Sequence, residues 1–449
     1  MKTTVSIVTL GCKTNQFESA AMIEQLQAAG YQKVDFTAGA ELVIVNTCTV
    51  TAATDSQSRN LIRRARRINP QARVVVTGCY AQIDPQACAD IVGVDLVLGN
   101  DLKLDVHKLL PKLERGELDK IVVGDLDKHV GLPENLLTGF DEQTRAFVQI
   151  QQGCDQGCTF CIIHVARGPS RSLVPSLIKR QVQRLVINGY PEIVICGVDL
   201  GSYGEDFQIS DSEQSQKMDL VTLLESLLSL EYQADNPFRI RLSSIDPSHI
   251  TDQLIELIAN EKRICSHIHL SLQSGNTLIL KRMKRRYDAD FVRERIAALR
   301  NKVPDLVISS DVMVGFPTET DEQFQDTKQM LIDLQIIYPH VFSYSAREGT
   351  PAARIPQDKQ VPKIIRKQRN KELRQTGQQL RTDLLNKVIN QRAWVLPENP
   401  AKKDGYMLCK AENYLPVLVP NKGLVQGRWC YVEYVSCKND FLHAQLIKI

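Results

Sequence analysis

The sequence predicts an α/β multidomain protein with an N-terminal parallel α/β sheet, a partial (β/α)6 barrel and a small C-terminal antiparallel β-barrel. A chain of 449 residues is too long for one ordinary core. Strands alternate with helices from the start, stop at a polar, turn-rich stretch, and then alternate again for over 200 residues. The final stretch of about 65 residues has only short strands separated by turn residues.

The composition is that of a globular protein and excludes a mainly disordered chain. Hydrophobic residues make up 43% and charged residues 24%, with a net charge of only +3. The twelve cysteines are too dilute for a disulfide scaffold of this size. We find neither a signal-peptide pattern nor an apolar run long enough to cross a membrane. We therefore expect a cytoplasmic protein with no membrane partner, whose clustered cysteines bind metal or do chemistry.

The N-terminal sheet is predicted for residues 1–125. Short β-branched runs alternate there with amphipathic stretches, as in a parallel sheet covered on both faces. The predicted strands are 5–10, 42–45, 74–76 and 96–98, and the predicted helices are 17–29, 58–68 and 85–91.

Residues 125–144 are polar and turn-rich and predict a linker. The central barrel follows, at residues 140–381, and its strand ends should carry the functional loops. Its predicted strands are 146–150, 192–196, 238–242, 266–270, 306–314 and 340–344, and its helices are 175–188, 219–230, 251–260, 288–301 and 321–334.

A basic helical stretch at 359–381 precedes the C-terminal barrel, which is predicted for residues 382–449. Aromatic residues in this barrel (Trp394, Tyr406, Tyr414 and Trp429) either stack RNA bases or, for most of them, belong to its core. The predicted strands are 394–396, 406–410, 416–419, 429–434 and 441–447.

Cys154, Cys158 and Cys161, here called the loop cysteines, follow the first strand of the central barrel in the sequence GCDQGCTFC. This spacing lets three thiolates converge on a cubane iron–sulfur cluster and leaves one iron open for a substrate or cofactor. The alternative is a zinc site in which His164 is the fourth ligand.

Cys12, Cys48 and Cys79, here called the sheet-edge cysteines, each end a predicted strand. The carboxyl ends of neighbouring parallel strands lie on one edge, where ligands bind. These thiols therefore predict a second cluster, and the alternative is three buried cysteines that act as small apolar residues. We predict core or incidental roles for five of the remaining six cysteines. Cys196 ends a barrel strand next to Gly197, and we predict a packing role for it, with a place near the active site as the alternative.

These features resemble the radical S-adenosylmethionine superfamily, and the whole chain is similar to its methylthiotransferase family. Members have an N-terminal methylthiotransferase domain, a radical SAM barrel and a C-terminal TRAM β-barrel. One departure is His164, where the family usually has proline. The matching segments are 9–15, 46–48, 77–79, 153–161, 166–168 with 171–172, 269–275 with 283–286, and 314–319.

The resemblance implies two 4Fe–4S clusters. The loop cysteines would hold the cluster that binds and cleaves S-adenosylmethionine, and the sheet-edge cysteines would hold the auxiliary cluster that carries the sulfur to be inserted. It implies cosubstrate contacts from Gly197, Val198 and Asp199 to the methionine moiety, and from the segment that contains Gly315 and Glu319 to the adenine. No catalytic acid or base is singled out.

The implied reaction replaces the hydrogen on carbon 2 of a modified adenosine beside the tRNA anticodon by a methylthio group. Residues 161–168 (CIIHVARG) and 197–204 (GVDLGSYG) look most like the threonylcarbamoyladenosine branch. The alternatives are isopentenyladenosine tRNA, a ribosomal-protein aspartate, or a non-enzymatic RNA-binding protein with structural zinc. The expected partners are tRNA, a low-potential electron donor such as flavodoxin, and a sulfur source, and we expect a monomer.

The charge distribution agrees with an RNA substrate. Residues 59–73 hold six arginines and no acidic residue, 281–286 hold five basic residues, and 359–381 hold eight against one acidic residue. These segments carry an excess of 18 positive charges, so the rest of the chain is acidic. Such segregation indicates surfaces that follow phosphates, although a single run is often only a solvated helix face.

Overall fold

The computed structural model describes residues 2–128, 136–140, 143–207, 218–232 and 237–447. The N-terminal sheet has strands β1 (Thr4–Thr9), β2 (Gln32–Lys33), β3 (Leu42–Thr47), β4 (Arg73–Gly78), β5 (Leu96–Leu98) and β6 (Ile121–Val122). They are all parallel, in the order β2-β1-β3-β4-β5-β6. Its helices are α1 (Lys13–Ala28), α2 (Ala52–Ile68), α3 (Cys79–Ile83), α4 (Pro85–Ala89) and α5 (Val106–Glu114).

Helices cover both faces of this sheet, as predicted. Leu42 and Ile44 of β3 point to the face that carries α1 and α5, whereas Val43 and Val45 point to the face that carries α2, α3 and α4. This alternation explains why the strand is apolar throughout. The sequence did not predict β2, β6, α3 or α5. Strands β2 and β6 have two residues each, α3 has five, and α5 contains Pro111, a residue that usually ends a helix.

In the part of the central barrel that the structure describes there are nine strands, of which β8 and β9 form a separate antiparallel pair beside the cysteine loop. Its strands are β7 (Arg145–Gln149), β8 (Gln151–Gln152), β9 (Arg171–Ser172), β10 (Glu192–Cys196), β11 (Arg239–Leu242), β12 (Ser244–Ile245), β13 (His267–Gln273), β14 (Val307–Val314) and β15 (Ile336–Ser343). Its helices are α6 (Ile163–Arg167), α7 (Pro175–Ile187), α8 (Leu220–Leu228), α9 (Asp252–Asn260), α10 (Thr277–Arg282), α11 (Ala289–Lys302), α12 (Asp321–Asp333) and α13 (Lys363–Lys387).

The other strands form two parallel sheets, β7-β10-β11 and β12-β13-β14-β15, and β11 leads directly into β12. The central barrel therefore has six successive parallel strand positions, because β11 and β12 together occupy one of them. In the described residues β7 and β15 do not pair, so the predicted partial (β/α)6 barrel is confirmed.

Strand β15 begins at Ile336, earlier than the predicted start at residue 340, and so includes Pro339. An edge strand tolerates proline because one side of it needs no ladder hydrogen bonds. Helix α13 packs over this strand, and a Cβ on its Gly377 would lie 2.3 Å from the Pro339 ring. This helix begins after the predicted residue 359 and continues to Lys387, past residue 381, where the sequence analysis placed the end of the central barrel.

The C-terminal barrel is closed, in the order β16-β17-β18-β20-β19. Its strands are β16 (Arg392–Pro400), β17 (Tyr406–Ala411), β18 (Pro416–Pro420), β19 (Cys430–Lys438) and β20 (Phe441–Leu446), which confirms the five predicted ones. Neighbouring strands are antiparallel except for β18 and β20, which are parallel.

The C-terminal barrel lies across the amino-terminal ends of the central strands. Trp429 Nε1 donates to the carbonyl of Pro191, just before β10, at 3.1 Å. The Tyr414 ring stacks on His267, the first residue of β13, with 4.7 Å between centroids. Trp429 and Tyr414 therefore pack between the two barrels, whereas Trp394 and Tyr406 are half-buried.

The opposite, carboxyl-terminal ends of the central strands face the N-terminal sheet. Phe17 and Ala21 of α1 belong to the same apolar core as Val148 of β7. Asn100 donates to the carbonyl of Ala166 in α6 at 2.6 Å. The carboxyl-terminal strand ends of the N-terminal sheet and those of the central barrel, where ligands are expected to bind, therefore face each other.

Residues 129–135 and 141–142 of the predicted linker lie outside the described residues. Between them, Leu137 and Phe140 are buried in the core of the central barrel. Leu137 N donates to Gln181 Oε1 of α7 at 2.6 Å, so this part of the linker packs closely on the barrel. No helix in the described ranges is long and apolar enough to cross a membrane.

Candidate active site

The sheet-edge cysteines meet where three neighbouring strands end. Cys12 and Cys48 follow β1 and β3, and Cys79 opens α3 directly after β4. The charges of Cys79 and Cys12 both act on Cys48. Close approach requires glycine at Gly11, whose φ is +98° and where a Cβ would lie 2.8 Å from Cys48 Sγ. The structure therefore brings these three thiols together.

The loop cysteines lie between β8 and α6, and the charges of Cys158 and Cys161 act on Cys154. Ile163 N donates to Cys161 Sγ at 3.4 Å, and Arg285 Nη1 donates to Cys158 Sγ at 3.1 Å. Hydrogen bonds to sulfur of this kind tune iron–sulfur sites. All twelve cysteines of the chain are free thiols.

The spacing of the thiols argues against a single zinc ion. Zinc–sulfur bonds of about 2.3 Å place tetrahedral ligand atoms about 3.8 Å apart. Within the described ranges, no three ligand atoms from either cysteine set or from His164 lie within 4.8 Å of one another. His164 lies on the short helix α6. The wider spacing suits a multi-iron cluster, in which each cysteine binds a different iron.

Burial raises the pKa of thiols in both sets, to about 12 for Cys48 and Cys154 and to about 11 for Cys161. Such thiols stay protonated near neutral pH unless a cation compensates the thiolate charge. Iron supplies that compensation, and metal binding then releases the protons. The chemistry of both donor sets therefore fits iron–sulfur clusters.

Arg167, at the end of α6, reaches from the central barrel to the sheet-edge cysteines and is 1% exposed. Its Nε donates to Cys79 Sγ at 3.3 Å, and its Nη2 donates to Glu18 Oε2 at 3.1 Å. Glu18 also pairs with Lys103, so two cations share one carboxylate beside the thiols. Burial opposes the charge of Arg167, yet Cys79 and Glu18 raise its pKa well above the usual value. The sequence analysis gave Arg167 no role, although it lies in a matched segment.

Gly197, Val198 and Asp199 follow β10 beside the loop cysteines. Gln151 Oε1 accepts hydrogen bonds from the Val198 and Asp199 amides, at 2.9 and 2.8 Å. Asp199 Oδ2 lies 3.8 Å from Cys154 Sγ. The three residues are thus held rigidly next to the first cysteine of the loop.

Gly315 and Glu319 lie in the turn between β14 and α12. Glu319 is 5% exposed, and its carboxylate accepts from the Gly315 amide at 2.7 Å and pairs with Arg369 of α13. Both of these bonds are made to Oε2, and the other carboxylate oxygen, Oε1, is buried without a hydrogen-bond partner among the described residues.

A cavity of about 680 Å³ extends between the N-terminal sheet and the interior of the central barrel. Cys12, Cys48 and Cys161 line it, so both cysteine sets contribute to one cavity. Arg241 and Tyr414, which lie near the amino-terminal ends of the central strands, also line it. A molecule in this cavity has thiols at one end and polar, cationic groups at the other.

One wall of the cavity carries His269, Asp311 and His340, whose ligand atoms lie within 4.8 Å of one another. Asp311 Oδ1 is 3.2 Å from His269 Nε2 and 3.6 Å from His340 Nδ1. Burial opposes the charge of Asp311, but hydrogen bonds from both histidines hold its pKa below the usual range. The sequence analysis missed Asp311 and His340. Polar residues at alternate positions of a buried strand, as at Ser309 and Asp311, were the available signal.

Comparisons with known proteins decide the family. The uncharacterized protein family UPF0004 matches residues 4–99, and the radical SAM superfamily matches residues 148–331. The chain is 38% identical to the threonylcarbamoyladenosine tRNA methylthiotransferase MtaB of Rickettsia prowazekii, over 98% of this chain and 97% of that protein. The chain belongs to the radical SAM methylthiotransferase family.

Two further relatives of this methylthiotransferase are informative. MtaB of Bacillus subtilis is 36% identical over 99% of this chain and 97% of that protein. The tRNA-2-methylthio-N(6)-dimethylallyladenosine synthase of Staphylococcus haemolyticus is 32% identical over 90% of this chain and 77% of that protein. The family predicted from the motifs is confirmed.

Among solved structures, the methylthiotransferase chain is similar to TsrM of Kitasatospora setae, a radical S-adenosylmethionine methyltransferase. The TM-score is 0.55 with 15% sequence identity, and the match covers 78% of this chain and 75% of that chain. The likeness extends to the fold alone.

The three basic segments of this methylthiotransferase are only partly available to a ligand. Arg66 pairs with Asp95, Arg285 with Asp246, and Arg369 with Glu319, so part of the positive charge is neutralised internally. Those three arginines therefore contribute less to a phosphate-binding surface than the sequence alone indicates. The exposed basic residues are Arg63, Arg64, Arg67, Arg73, Lys281, Arg282, Lys284, Arg286, Lys359, Lys363, Lys367, Lys371 and Arg374.

Proposed function

We propose that this chain inserts a methylthio group at carbon 2 of N6-threonylcarbamoyladenosine beside the tRNA anticodon. The observation that carries this proposal is a single cavity lined by cysteines of both sets. The two MtaB relatives, named for threonylcarbamoyladenosine, match at higher identity and over more of the chain than the dimethylallyladenosine synthase.

The loop cysteines would hold one 4Fe–4S cluster, and the sheet-edge cysteines would hold the second. S-adenosylmethionine, when bound, supplies both the methyl group and the radical that a strong aromatic C–H bond requires. The chain's own residues bury the thiols, direct Arg167 and Arg285 at two of the sulfur atoms, and enclose the reacting groups in a cavity that limits water. No catalytic acid or base is assigned.

For the cosubstrate, we propose that Gly197, Val198 and Asp199 contact the methionine moiety. Their position beside Cys154 supports this. Gly315 and Glu319 would contact the adenine from the turn after β14. Arg369 and the Gly315 amide hold Glu319 Oε2, which leaves the buried Oε1 to accept a hydrogen bond from the ligand.

The tRNA surface would include the outer face of α2. Thr51, Thr54 and Gln57, at its start, line the cavity. Arg63 and Arg67 are exposed further along the same helix. A helix of 17 residues extends about 25 Å, enough to follow several phosphates from the cavity outwards.

The electron donor would dock at residues 281–286. Thr159, between Cys158 and Cys161, holds this segment against the cysteine loop. Its amide donates to the Met283 carbonyl at 3.1 Å, and its hydroxyl donates to the Arg282 carbonyl at 2.8 Å. Lys284 and Arg286 are exposed there, which suits an acidic donor such as flavodoxin. We expect a cytoplasmic monomer that also requires a sulfur source.

Mass analysis of tRNA nucleosides from a strain that lacks the gene tests the proposal. We expect the methylthio derivative of threonylcarbamoyladenosine to disappear and to return when the chain is supplied. Loss of only the isopentenyladenosine derivative, or of a methylthio group on a ribosomal protein, would overturn it.

A further inference from the structure

The end of the cavity away from the cysteines contains buried polar atoms that lack partners. In the described part of the chain these include Arg241 Nη1, Ser243 Oγ and His267 Nδ1. The three residues line the cavity and are 1%, 4% and 4% exposed. Buried polar atoms are nearly always hydrogen-bonded, so three unpaired ones in one place indicate a ligand that supplies the partners.

This end of the cavity also has an excess of positive charge. Arg241 uses Nε and Nη2 to hold Glu192, at 2.6 and 2.9 Å. Arg145 pairs with Glu398 at 2.7 Å. Lys13 lines the same cavity but makes no hydrogen bond or ion pair with any described residue.

Lys13 lines the cavity from the start of α1 and Arg241 lines it from β11, so the ammonium group and the free Arg241 nitrogen face the same space. Lys410 lies over the Tyr414 ring beside Arg241 and Arg145. Four cations therefore share the carboxylates of Glu192 and Glu398 at this end of the cavity, and the excess positive charge favours an anionic ligand.

We propose that Lys13 and Arg241 form a carboxylate-binding subsite that holds the threonine carboxylate of the N6 substituent. This rests on the function proposed above. A threonylcarbamoyl group carries one carboxylate and one hydroxyl, and these match the Lys13 ammonium, the free Arg241 nitrogen and the unpaired Ser243 and His267 atoms. With the carboxylate held there, the adenine lies between the subsite and the cysteines.

The same subsite discriminates against a dimethylallyl group. That substituent has no polar atom, so it would leave the Arg241 and His267 nitrogens unpaired and would bury the Lys13 charge without an anion. A site whose polar groups must pair with the ligand strongly rejects a ligand without polar groups. An apolar pocket rejects a ligand that carries an extra polar group much less strongly.

Binding to the cluster-loaded, full-length enzyme tests the subsite. The ligands are two anticodon stem-loop RNAs, one with threonylcarbamoyladenosine and one with its neutral threonine amide, compared by fluorescence anisotropy. We expect the wild type to bind the acid at least about tenfold more tightly than the amide. Lys13→Met should remove this preference, Lys13→Arg should restore most of it, and Lys112→Met, at an exposed position of α5, should leave it unchanged.

Equal affinity of the wild type for acid and amide would overturn the subsite, and this comparison needs no variant to fold. Equal weakening of both RNAs by Lys13→Met would overturn it too, because Lys13 would then contact the RNA in some other way. A parallel assay for the methylthio product separates the two proposals. If the wild type converts the acid RNA while binding both equally, the function stands and the subsite is wrong. If it does not convert the acid RNA, the proposed function itself is wrong.

Discussion

The two cysteine sets are assembled in opposite ways. The loop cysteines lie within eight residues of one another, and their geometry depends on one tight loop. The sheet-edge cysteines come from three separate strands, and only the order β1-β3-β4 makes them neighbours. A loop fixes its ligands locally, whereas a sheet edge fixes them only once the whole N-terminal sheet has folded. The second set therefore depends on the fold far more than the first.

Each set also has its own cationic partner. Arg285 donates to Cys158 from within the central barrel. Arg167 donates to Cys79 from the central barrel across to the N-terminal sheet, where it also binds Glu18. The sheet-edge set is thus held by both regions, and the loop set by one.

The largest expected effect comes from the loop set. Cys158→Ala removes one of its three proposed ligands, and we expect both 5′-deoxyadenosine and the methylthio product to fall to background. Chromatography of reaction mixtures under reducing, anaerobic conditions measures both. Cys437→Ala, in the C-terminal barrel, is the control. Normal cleavage of S-adenosylmethionine by Cys158→Ala would show that the loop set is not the cleavage site.

Replacement in the sheet-edge set should separate the two products. Cys48→Ala is expected to form 5′-deoxyadenosine at the wild-type level but no methylthio product, because the loop set remains intact. The same assay measures both, with Cys88→Ala, buried in α4 outside both sets, as the control. If Cys48→Ala also lost cleavage, the two sets would not be independent.

The two cysteine sets also differ in how easily they can be predicted from the sequence. The loop motif could be identified from spacing alone, since its ligands are local. The sheet-edge set required each strand to be located first, and the apolar runs before Cys12, Cys48 and Cys79 were clear enough for that. Arg167 could not be predicted because its partner Glu18 lies 149 residues away in another region. Asp311 and His340 were missed for a similar reason, since the inward faces of β14 and β15 depend on how the barrel curves.

The next test concerns Arg167, whose contacts with Glu18 and Cys79 connect the central barrel to the N-terminal sheet. Arg167→Met leaves Glu18 with one buried cation instead of two and removes a donor from Cys79. Because Lys103 still pairs with Glu18, we expect the free energy of unfolding to fall by about 1–3 kcal/mol through the lost hydrogen bonds and the Tm to fall by about 3 °C. Thermal unfolding followed by circular dichroism measures this, and Arg115→Met at an exposed site should leave the Tm unchanged. An unchanged Tm for Arg167→Met would contradict this connection.

The smallest effect concerns the RNA surface beside the sheet-edge set. We expect the double variant Arg63→Glu and Arg67→Glu to bind substrate tRNA about tenfold more weakly and to reduce the salt dependence of binding by about two phosphate contacts. Filter binding over a range of salt concentrations measures both. The double variant Lys112→Glu and Arg115→Glu, at exposed positions on and after α5 on the opposite face of the sheet, is the matched control. Equal loss in the control would indicate a general charge effect and not a surface on α2.

The most direct test of two independent sites is the iron content of anaerobically prepared protein. The account predicts about eight iron ions per wild-type chain, and about four in both Cys48→Ala and Cys158→Ala, since each change empties one 4Fe–4S site. Full iron content in Cys48→Ala, or the loss of all iron in either variant, would contradict the claim that the sheet edge and the loop each hold a cluster of their own.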